Sequence, residues 1–372
     1  MGGSQWGGSE ALWHKTALYA LEQGDEVLVS VYDWGKAHSK IEELQDKGAI
    51  ICYRERYNNN GLFFSKIKLY FKNRIKHLNN NYKPIIVFKP TMVFISQGDT
   101  FDLAVHHKQF YTMLMVHHIK FSLVCHGHAQ YSFIPDKLIY PGAVEIFDNA
   151  KKVFFVSYRQ WELTKRRLIS DINNGVFTWN PLNVKIPESP LIWPSFNTIQ
   201  FAIVGGLDGT KGHDTVLEIL SKTQWLERKW KLNIYGSGYG IQYLKDLSIK
   251  YKIQDKVFFH GYVNDINIVW ANNHVLLIAS AGEGLPISLV ECMGCGRIAI
   301  VTDVGGNTEL IEENLSGFIA ASPTVNAFDL AMERALLKKD TWVQMGINAF
   351  EKINLLVEIE PQKKVYNILI NE

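Results

Sequence analysis

The sequence predicts an α/β protein with two Rossmann-like domains, each built on a parallel sheet that helices cover on both faces. Short apolar runs alternate with segments of helical periodicity throughout the 372 residues, a pattern typical of parallel sheets. A chain of this length exceeds one ordinary hydrophobic core, so two domains of roughly 150 to 200 residues are expected. Four prolines between positions 181 and 194 favour a linker between them.

The domain boundaries follow from this proline cluster. We expect a first domain at residues 1–180, a linker at 181–196 and a second domain at 197–358, followed by a terminal helical segment at 359–372. In open α/β sheets ligands bind beyond the carboxyl ends of the strands, so two such sheets are expected to face a central cleft.

Apolar runs of three to five residues are the predicted strands, and 3.6-residue periodicity marks helices such as Glu10–Gln23 and Val325–Lys338. In the first domain the predicted strands are Val27–Val31, Ala49–Cys52, Ile85–Phe88, Phe121–Cys125 and Val153–Val156. In the second domain they are Phe201–Val204, Leu232–Ile234, Val257–Phe259, Val275–Ile278 and Ile298–Val301.

Composition narrows the class of protein. The chain is 47% hydrophobic, yet no apolar run reaches the length of about 18 residues that a transmembrane helix needs. The glycine-rich start does not resemble a signal peptide, and four cysteines fit a reducing compartment, so a cytoplasmic protein is expected. Paired histidines such as His106–His107 lack an accompanying carboxylate triad, so no metal site is predicted.

Two glutamates with seven residues between them form the most informative motif of the chain. Glu283 follows the predicted strand Val275–Ile278, and a helix is expected from Pro286 onward. The N–H groups at such a helix start bind phosphate. Glu291 lies about two turns into the helix, so the carboxylates suit a ligand with hydroxyls on both sides of a phosphate, such as a nucleotide sugar. Between the two glutamates, the residues predicted to contact this ligand are Gly284, Leu285, Pro286 and Ile287.

A second loop with phosphate-binding character follows the strand Phe201–Val204. Glycines occupy positions 205, 206, 209 and 212, and Lys211 precedes the last of them. We interpret Lys211 and Gly205 as part of a phosphate loop, with an ordinary surface lysine as the alternative.

Taken in their order along the chain, these motifs resemble those of the family-4 retaining glycosyltransferases, which have the GT-B fold. The resemblance implies a nucleotide-diphosphate sugar as donor, no bound cofactor, and a terminal helix that crosses back to the first domain. It also implies that Glu283 contacts the donor sugar, that Glu291 holds the ribose and that the leaving phosphate helps to take the acceptor's proton. The matching segments are the glycine-rich stretch with Gly3 and Gly7, Val204–Gly205, Lys211–Gly212, the glutamate motif, and Gly305–Leu310 with Glu309, which either caps its helix or approaches the donor.

One histidine in the first domain resembles the family residue that faces the donor sugar. His126 follows the strand Phe121–Cys125 directly, and His128 is the alternative. The chain departs from the family in two places. Gly206 stands where the family usually has an arginine. The glycine-rich loop at Gly2–Gly8 follows Met1 directly, where the family has a buried first strand, so either the true start lies upstream or the sheet has lost a central strand.

The leading interpretation is a retaining hexosyltransferase-type enzyme that transfers sugar to a glycan or lipid-linked acceptor in surface polysaccharide or glycoconjugate synthesis. The alternatives are a nucleotide-sugar epimerase or phosphorylase of the same fold, or a non-catalytic sugar-nucleotide binder. Residues 54–89 carry nine Lys or Arg against one acid. Their amphipathic pattern fits either peripheral contact with the inner face of a membrane or packing on the sheet. They carry no nucleic-acid-binding motif.

Overall fold

A computed structural model describes residues 6–55, 81–127, 140–182 and 184–371. The chain folds as two units. Unit 1 takes the described residues up to Val156, Trp161–Pro181 and those from Ile359 onward, whereas unit 2 takes Ser157–Gln160 and Leu182–Glu358. None of the described helices is both long enough and apolar enough to cross a membrane.

Strands and helices alternate along both units, as expected of an α/β protein. The strands are β1 Leu28–Tyr32, β2 Ile50–Arg54, β3 Val93–Gln97, β4 Phe121–Cys125, β5 Val153–Phe155, β6 Gly175–Phe177, β7 Ile199–Val204, β8 Trp230–Tyr235, β9 Val257–Gly261, β10 Val275–Ile278, β11 Ile298–Thr302 and β12 Gly317–Ala320. The helices are α1 Glu10–Glu22, α2 Ser39–Asp46, α3 at residues 81–88, α4 Asp102–Val105, α5 Lys108–Val116, α6 Tyr140–Asn149, α7 Tyr158–Leu168, α8 His213–Leu220, α9 Thr223–Leu226, α10 Ile241–Lys250, α11 Ile266–Asn272, α12 Ile287–Gly294, α13 Asn307–Leu310, α14 Val325–Leu337, α15 Trp342–Leu356 and α16 Pro361–Asn371.

Unit 1 contains two parallel sheets. β1 pairs with β2, and β3 to β6 form a four-stranded sheet in chain order. β4 is buried along its whole length, as is typical of a central strand in a parallel sheet. The last helix, α16, packs on α1: the Tyr366 and Tyr19 rings meet edge to face, and the Tyr366 hydroxyl donates to Asp25 at 2.7 Å.

Unit 2 is built on one parallel six-stranded sheet with the order β12-β11-β10-β7-β8-β9. From β7 the chain builds outward through β8 and β9, then returns to the other side of β7 with β10. The loops that follow β7 and β10 are therefore neighbours at a topological switch point, which is where open α/β sheets bind their ligands. β10 and β11 are wholly buried, and they are apolar except for Thr302 at the end of β11.

The structure corrects one predicted strand and adds three that the sequence did not reveal. Ile85–Phe88 lies in the helix at residues 81–88, and the strand of this region is β3, which begins at Val93. The short strands β6 and β12 were also missed. Each has three or four residues and contains a glycine, so its apolar signal is weak. The other nine predicted strands coincide with observed strands to within a few residues.

Candidate functional site

The switch point of unit 2 brings together a lysine and a glutamate from two loops. Lys211 Nζ, in the loop after β7, donates to both carboxylate oxygens of Glu283, in the loop after β10, at 2.7 Å each. The Ser280 hydroxyl donates to Glu283 Oε1 at 2.6 Å. The Glu283 side chain is 6% exposed and that of Lys211 is 28% exposed. The lysine therefore neutralises a buried carboxylate while its own side chain stays partly exposed.

Gly212 allows the two loops to approach this closely. Its φ is +68°, a left-handed conformation that side chains disfavour, and a Cβ there would overlap the carbonyl oxygen of Ala279 at the end of β10. Gly212 also precedes α8, so the loop ends at a helix N-terminus. Close contact at Gly212 positions Lys211 beside Glu283.

The turn between Glu283 and α12 presents unused backbone donors. Pro286 caps the helix with φ −66°, so α12 begins at Ile287, as the sequence predicts. The amides of Leu289 and Val290 donate to the Pro286 carbonyl. Within the described residues, four other backbone N–H groups around this helix start donate no hydrogen bond: those of Gly284, Leu285, Ile287 and Ser288. Together with the helix dipole they form a site that favours an anion.

The turn that contains Gly305 and Gly306 packs against this site and supports it. The Gly306 amide donates to the carbonyl oxygen of Gly284 at 2.6 Å. Gly305 has a φ of +51°, and a Cβ there would overlap the carbonyl oxygen of Glu283. The turn with Gly305 and Gly306 therefore supports the turn that contains Glu283 and Gly284.

Glu291 is a buried carboxylate without a partner among the described residues. The residue is 8% exposed on α12, and its carboxylate makes no hydrogen bond or ion pair with that part of the chain. Burial raises the pKa of its carboxyl group from 4.5 to about 7. A group in this state gains free energy from a ligand that brings hydroxyl donors.

One candidate residue next to the Lys211 loop was not predicted from the sequence. His213, the first residue of α8, is 2% exposed, and neither ring nitrogen has a hydrogen-bond partner among the described residues. Burial lowers the pKa of its imidazole to about 4, so the ring is neutral at pH 7. Its place directly after Lys211 and Gly212 was the only available signal. The contact of Ser280 with Glu283 was not predicted either, because no sequence spacing indicates that a serine will donate a hydrogen bond to this glutamate.

The remaining predicted residues of the second domain lie in the same two loops or close to them. Gly205 has a φ of +157°, which side chains rarely adopt, and a Cβ there would lie 3.8 Å from the aliphatic part of Lys211. A Cβ at Gly206 would meet only the Asp208 carboxylate, at 3.3 Å, so this exposed position has room for a side chain. Glu309 accepts hydrogen bonds from the amides of Tyr158 and Arg159, at the start of α7. It caps α7, a role that was not predicted.

The predicted residues of the first domain belong to unit 1. His126 follows β4, and both of its ring nitrogens are buried without a hydrogen-bond partner in the described residues. Burial lowers the pKa of His126 to about 4, so this imidazole is also neutral at pH 7. Gly7 lies in the turn before α1, where its carbonyl accepts from the Glu10 amide at 3.3 Å. Gly3 and His128 lie outside the described residues.

Comparison with known proteins gives one family and several relatives. Residues 195–352, most of unit 2, match the family Glycosyl transferases group 1. An uncharacterized glycosyltransferase of Haemophilus influenzae is 23% identical over 284 residues, which cover 76% of this chain and 79% of that protein. The lipopolysaccharide 1,6-galactosyltransferase of Escherichia coli is 25% identical over 318 residues, which cover 82% and 80% of the two chains.

The similarity of fold extends over the whole chain. The solved structure of Anabaena Alr3699/HepE in complex with UDP superposes with a TM-score of 0.73, at 13% identity, over 100% of this chain and 98% of that one. At this identity the likeness shows the fold. It confirms the predicted α/β class with the GT-B architecture of two Rossmann-like domains.

Proposed function

We propose that this protein is a retaining glycosyltransferase that uses a nucleotide-diphosphate sugar as donor. The observation that carries the proposal is the row of unused amides at the start of α12, beside the Lys211–Glu283 pair. A doubly charged diphosphate needs several donors and a cation, and this loop cluster offers both. The family matched by residues 195–352 and the UDP bound to HepE support the same class of ligand.

In the proposed reaction, the protein stabilises the leaving group electrostatically. The bond between the anomeric carbon and the phosphate oxygen breaks, and its electron pair stays on the diphosphate. Lys211 and the α12 amides then neutralise the charge that develops there, and each such contact typically contributes about 3 to 4 kcal/mol to the transition state. The acceptor hydroxyl attacks the same face of the sugar, and its proton passes to the leaving phosphate.

The two glutamates have different roles in this proposal. Glu283 accepts hydrogen bonds from sugar hydroxyls next to the reacting carbon, because its oxygens, although held by Lys211 and Ser280, retain free lone pairs. Glu291, which has no partner of its own in the described residues, accepts the ribose hydroxyls. His126, neutral at pH 7, acts on the donor sugar as a hydrogen-bonding group rather than as a charge.

We further propose a glycan or lipid-linked acceptor and a role in surface polysaccharide or glycoconjugate synthesis at the cytoplasmic face of a membrane. The similarity to the lipopolysaccharide 1,6-galactosyltransferase of Escherichia coli supports this class of acceptor. Membrane contact through the basic amphipathic stretch around residues 64–78 stays a prediction, because that segment lies outside the described residues.

A non-catalytic sugar-nucleotide binder is the second candidate, and Gly206 favours it. The family arginine at this place would grip the diphosphate, so its loss weakens stabilisation of the leaving group. Such a binder would still use the α12 amides and Glu291, but it would show no turnover with any acceptor.

A panel of nucleotide sugars should separate these functions. We expect one of them to raise the unfolding midpoint by roughly 5–10 °C at 100 times its Kd, because saturation at that level adds about 2.7 kcal/mol. UDP-glucose is the first to test, and free glucose and the nucleoside are the controls. The stabilising donor is then incubated with glycan and lipid-linked acceptors, and NMR of the product gives the anomeric configuration.

Each alternative function predicts a different result in this experiment. Conversion of the donor to an isomer without acceptor would indicate an epimerase, and a requirement for free phosphate would indicate a phosphorylase. Stabilisation without turnover would indicate the binder. An inverted anomeric configuration would contradict the retaining mechanism, and no stabilisation by any nucleotide sugar would remove the proposed donor site.

Replacing Gly206 by arginine should tighten binding of the donor about ten- to a hundredfold. The position is exposed and free of backbone contacts, so the guanidinium can reach a diphosphate held by Lys211 and contribute roughly 1.5–3 kcal/mol. The measurement is donor affinity by calorimetry at two salt concentrations. Thr210→Arg, which adds the same charge elsewhere in this loop, is the matched control. Equal affinities for wild type and Gly206→Arg would place the loop away from the diphosphate.

A further inference from the structure

Arg54, the last residue of β2, is a partly buried cation that makes no ion pair among the described residues. Its guanidinium lies over the Tyr32 ring, 4.6 Å from the centroid, and it donates one long hydrogen bond, of 3.4 Å, to the Ser30 carbonyl. Its Nε is buried and has no hydrogen-bond partner in that part of the chain. A cation held in this way destabilises a fold unless an anion compensates it.

The acidic residues around Arg54 do not supply this anion. Arg54 lines a cavity of about 550 Å³ in unit 1, which Asp102 also lines, but the Asp102 carboxylate accepts a hydrogen bond from the turn before α4. Burial lowers the pKa of Arg54, and the effects that oppose burial come from the phenols of Tyr32 and Tyr82. Residues 56–80, which follow in the chain, contain no Asp or Glu. The counterion of Arg54 is therefore expected from a ligand.

His107 is connected to Arg54 through Tyr32. The Tyr32 hydroxyl lies 3.4 Å from His107 Nε2, and the histidine lines the same cavity as the arginine. Burial, followed by the charge of Arg54, lowers the pKa of His107 to about 4, so its imidazole is neutral at pH 7. When Nε2 accepts from the hydroxyl, the proton is on Nδ1, which has no hydrogen-bond partner within the described residues. The ring therefore offers a donor to a ligand.

Helix α5 adds its positive end to this cluster. His107 is the N-cap of α5, which begins at Lys108. The backbone amides of Lys108 and Gln109 donate no hydrogen bond in the described part of the chain. Unused amides and the dipole favour negative charge at a helix start. The guanidinium, the imidazole and the helix start all favour the same kind of ligand, an anion.

We propose that Arg54, His107 and the start of α5 form an anion site that binds a phosphate group of the acceptor. A guanidinium with unused N–H groups binds phosphate in a bidentate manner, and the phosphate supplies the missing counterion. Tyr32 and Arg54 are in register at the carboxyl ends of β1 and β2, the end of a parallel sheet at which ligands bind.

The site narrows the class of acceptor. A phosphate or diphosphate ester, such as the head group of a lipid-linked sugar, carries the required charge, whereas a neutral glycan does not. Assignment of the phosphate to an acceptor rests on the proposed transferase function. The anion site itself rests only on the contacts of Arg54 and His107.

The first test measures the binding of inorganic pyrophosphate by calorimetry at constant ionic strength. Lys211→Met is the background, because it weakens the proposed donor site, which also takes a diphosphate. In this background Arg54→Met should lower the affinity roughly tenfold or more. Arg228→Met is the matched control and should leave the affinity unchanged, since that guanidinium also lies over an aromatic ring, that of Trp225 at 4.5 Å, but is paired with Glu333. No binding of pyrophosphate, or affinities within threefold for the two variants, would overturn the site.

The unfolding midpoint gives an independent readout. Methionine keeps the apolar stem over Tyr32 and removes a cation without a partner, so Arg54→Met should unfold at the wild-type midpoint or above it. Arg228→Met breaks an ion pair and should unfold at a lower temperature. A midpoint for Arg54→Met below that of Arg228→Met would overturn the proposal, because it would indicate that Arg54 stabilises the fold. If Arg54→Met does not fold, Arg54→Lys, which keeps the charge but lacks the planar fork, takes its place in the binding comparison and should still lose affinity.

The second test asks whether the phosphate belongs to the acceptor. With a phosphate-ester acceptor, Arg54→Met should raise the acceptor KM roughly tenfold or more, with a smaller effect on kcat. The increase should be smaller with a neutral glycan acceptor, and Arg228→Met should show neither effect. An unchanged acceptor KM with a raised donor KM would assign the site to the donor and overturn the acceptor assignment. Absence of transfer to any acceptor would contradict the proposed function and the acceptor assignment, whereas the pyrophosphate measurement would still decide the anion site.

Discussion

Replacing Lys211 by methionine should lower the rate of sugar transfer, as kcat/KM, by roughly 10²- to 10³-fold. The methionine keeps the aliphatic stem that packs on Gly205 but removes the only ammonium group hydrogen-bonded to Glu283 in the described residues. Loss of one preformed contact to a developing negative charge typically costs about 3–4 kcal/mol in the transition state. The measurement is steady-state transfer with the donor identified by the stabilisation screen.

The variant also disturbs the folded protein, and a matched control measures that effect. Lys222 donates to Asp329 at 2.7 Å in the same unit, with side-chain exposures of 30% and 12%. Lys222→Met therefore breaks a comparable pair in a different contact. Both variants should lose roughly 1.5–3 kcal/mol of unfolding free energy, and only Lys211→Met should lose transfer. Transfer by Lys211→Met within threefold of Lys222→Met would exclude a catalytic role for Lys211.

Replacing Glu291 by glutamine should stabilise the protein and weaken donor binding at the same time. Burial raises the pKa of Glu291 from 4.5 in the unfolded reference to about 7 in the folded protein. Below pH 4.5 the carboxyl is protonated in both states, so it costs nothing there. As pH rises towards 7 the unfolded state loses its proton first, and stability falls by about 3 kcal/mol at pH 8. Glutamine never ionises and should recover that amount.

The gain should therefore have a defined pH window. Unfolding free energies of wild type and Glu291→Gln should agree near pH 4 and diverge progressively up to about pH 7. Glu218→Gln, at an exposed position on α8, is the control and should follow wild type throughout. A constant difference at every pH would mean that the effect comes from packing and not from ionisation.

The same substitution should abolish the pH dependence of donor binding. In the proposed donor site, ribose hydroxyls donate to the ionised carboxylate, so wild-type affinity for a nucleotide sugar should rise between pH 6 and 8, with release of a proton. In Glu291→Gln the affinity should be lower and independent of pH in this range. Calorimetry with a nucleotide sugar suits the measurement, because its diphosphate has no group that titrates there. Identical pH profiles for the two proteins would remove Glu291 from the binding site.

The local features of the donor loops could be predicted from the sequence. The run Val275–Ile278 is continuously apolar, small residues follow it, and Pro286 marks the helix start, so Glu283 was placed at a strand end and the structure agrees. These signals act over a few residues. Proline restricts its own φ and glycine relaxes it, whatever packs around them. The same reasoning failed at Ile85–Phe88, because a short apolar run fits a buried strand and a helix equally well.

The charge state and the partners of the site residues depended on the tertiary structure. Lys211 and Glu283 are 72 positions apart, and no spacing rule indicates that the loops after β7 and β10 become neighbours. Glu291 and His213 look like ordinary titratable residues in the sequence, yet burial moves the pKa of the first to about 7 and of the second to about 4. Desolvation depends on every group that packs around a side chain. The sequence therefore determined which residues lie at the strand ends, whereas only the packing of the whole unit decided which of them are charged and unpartnered.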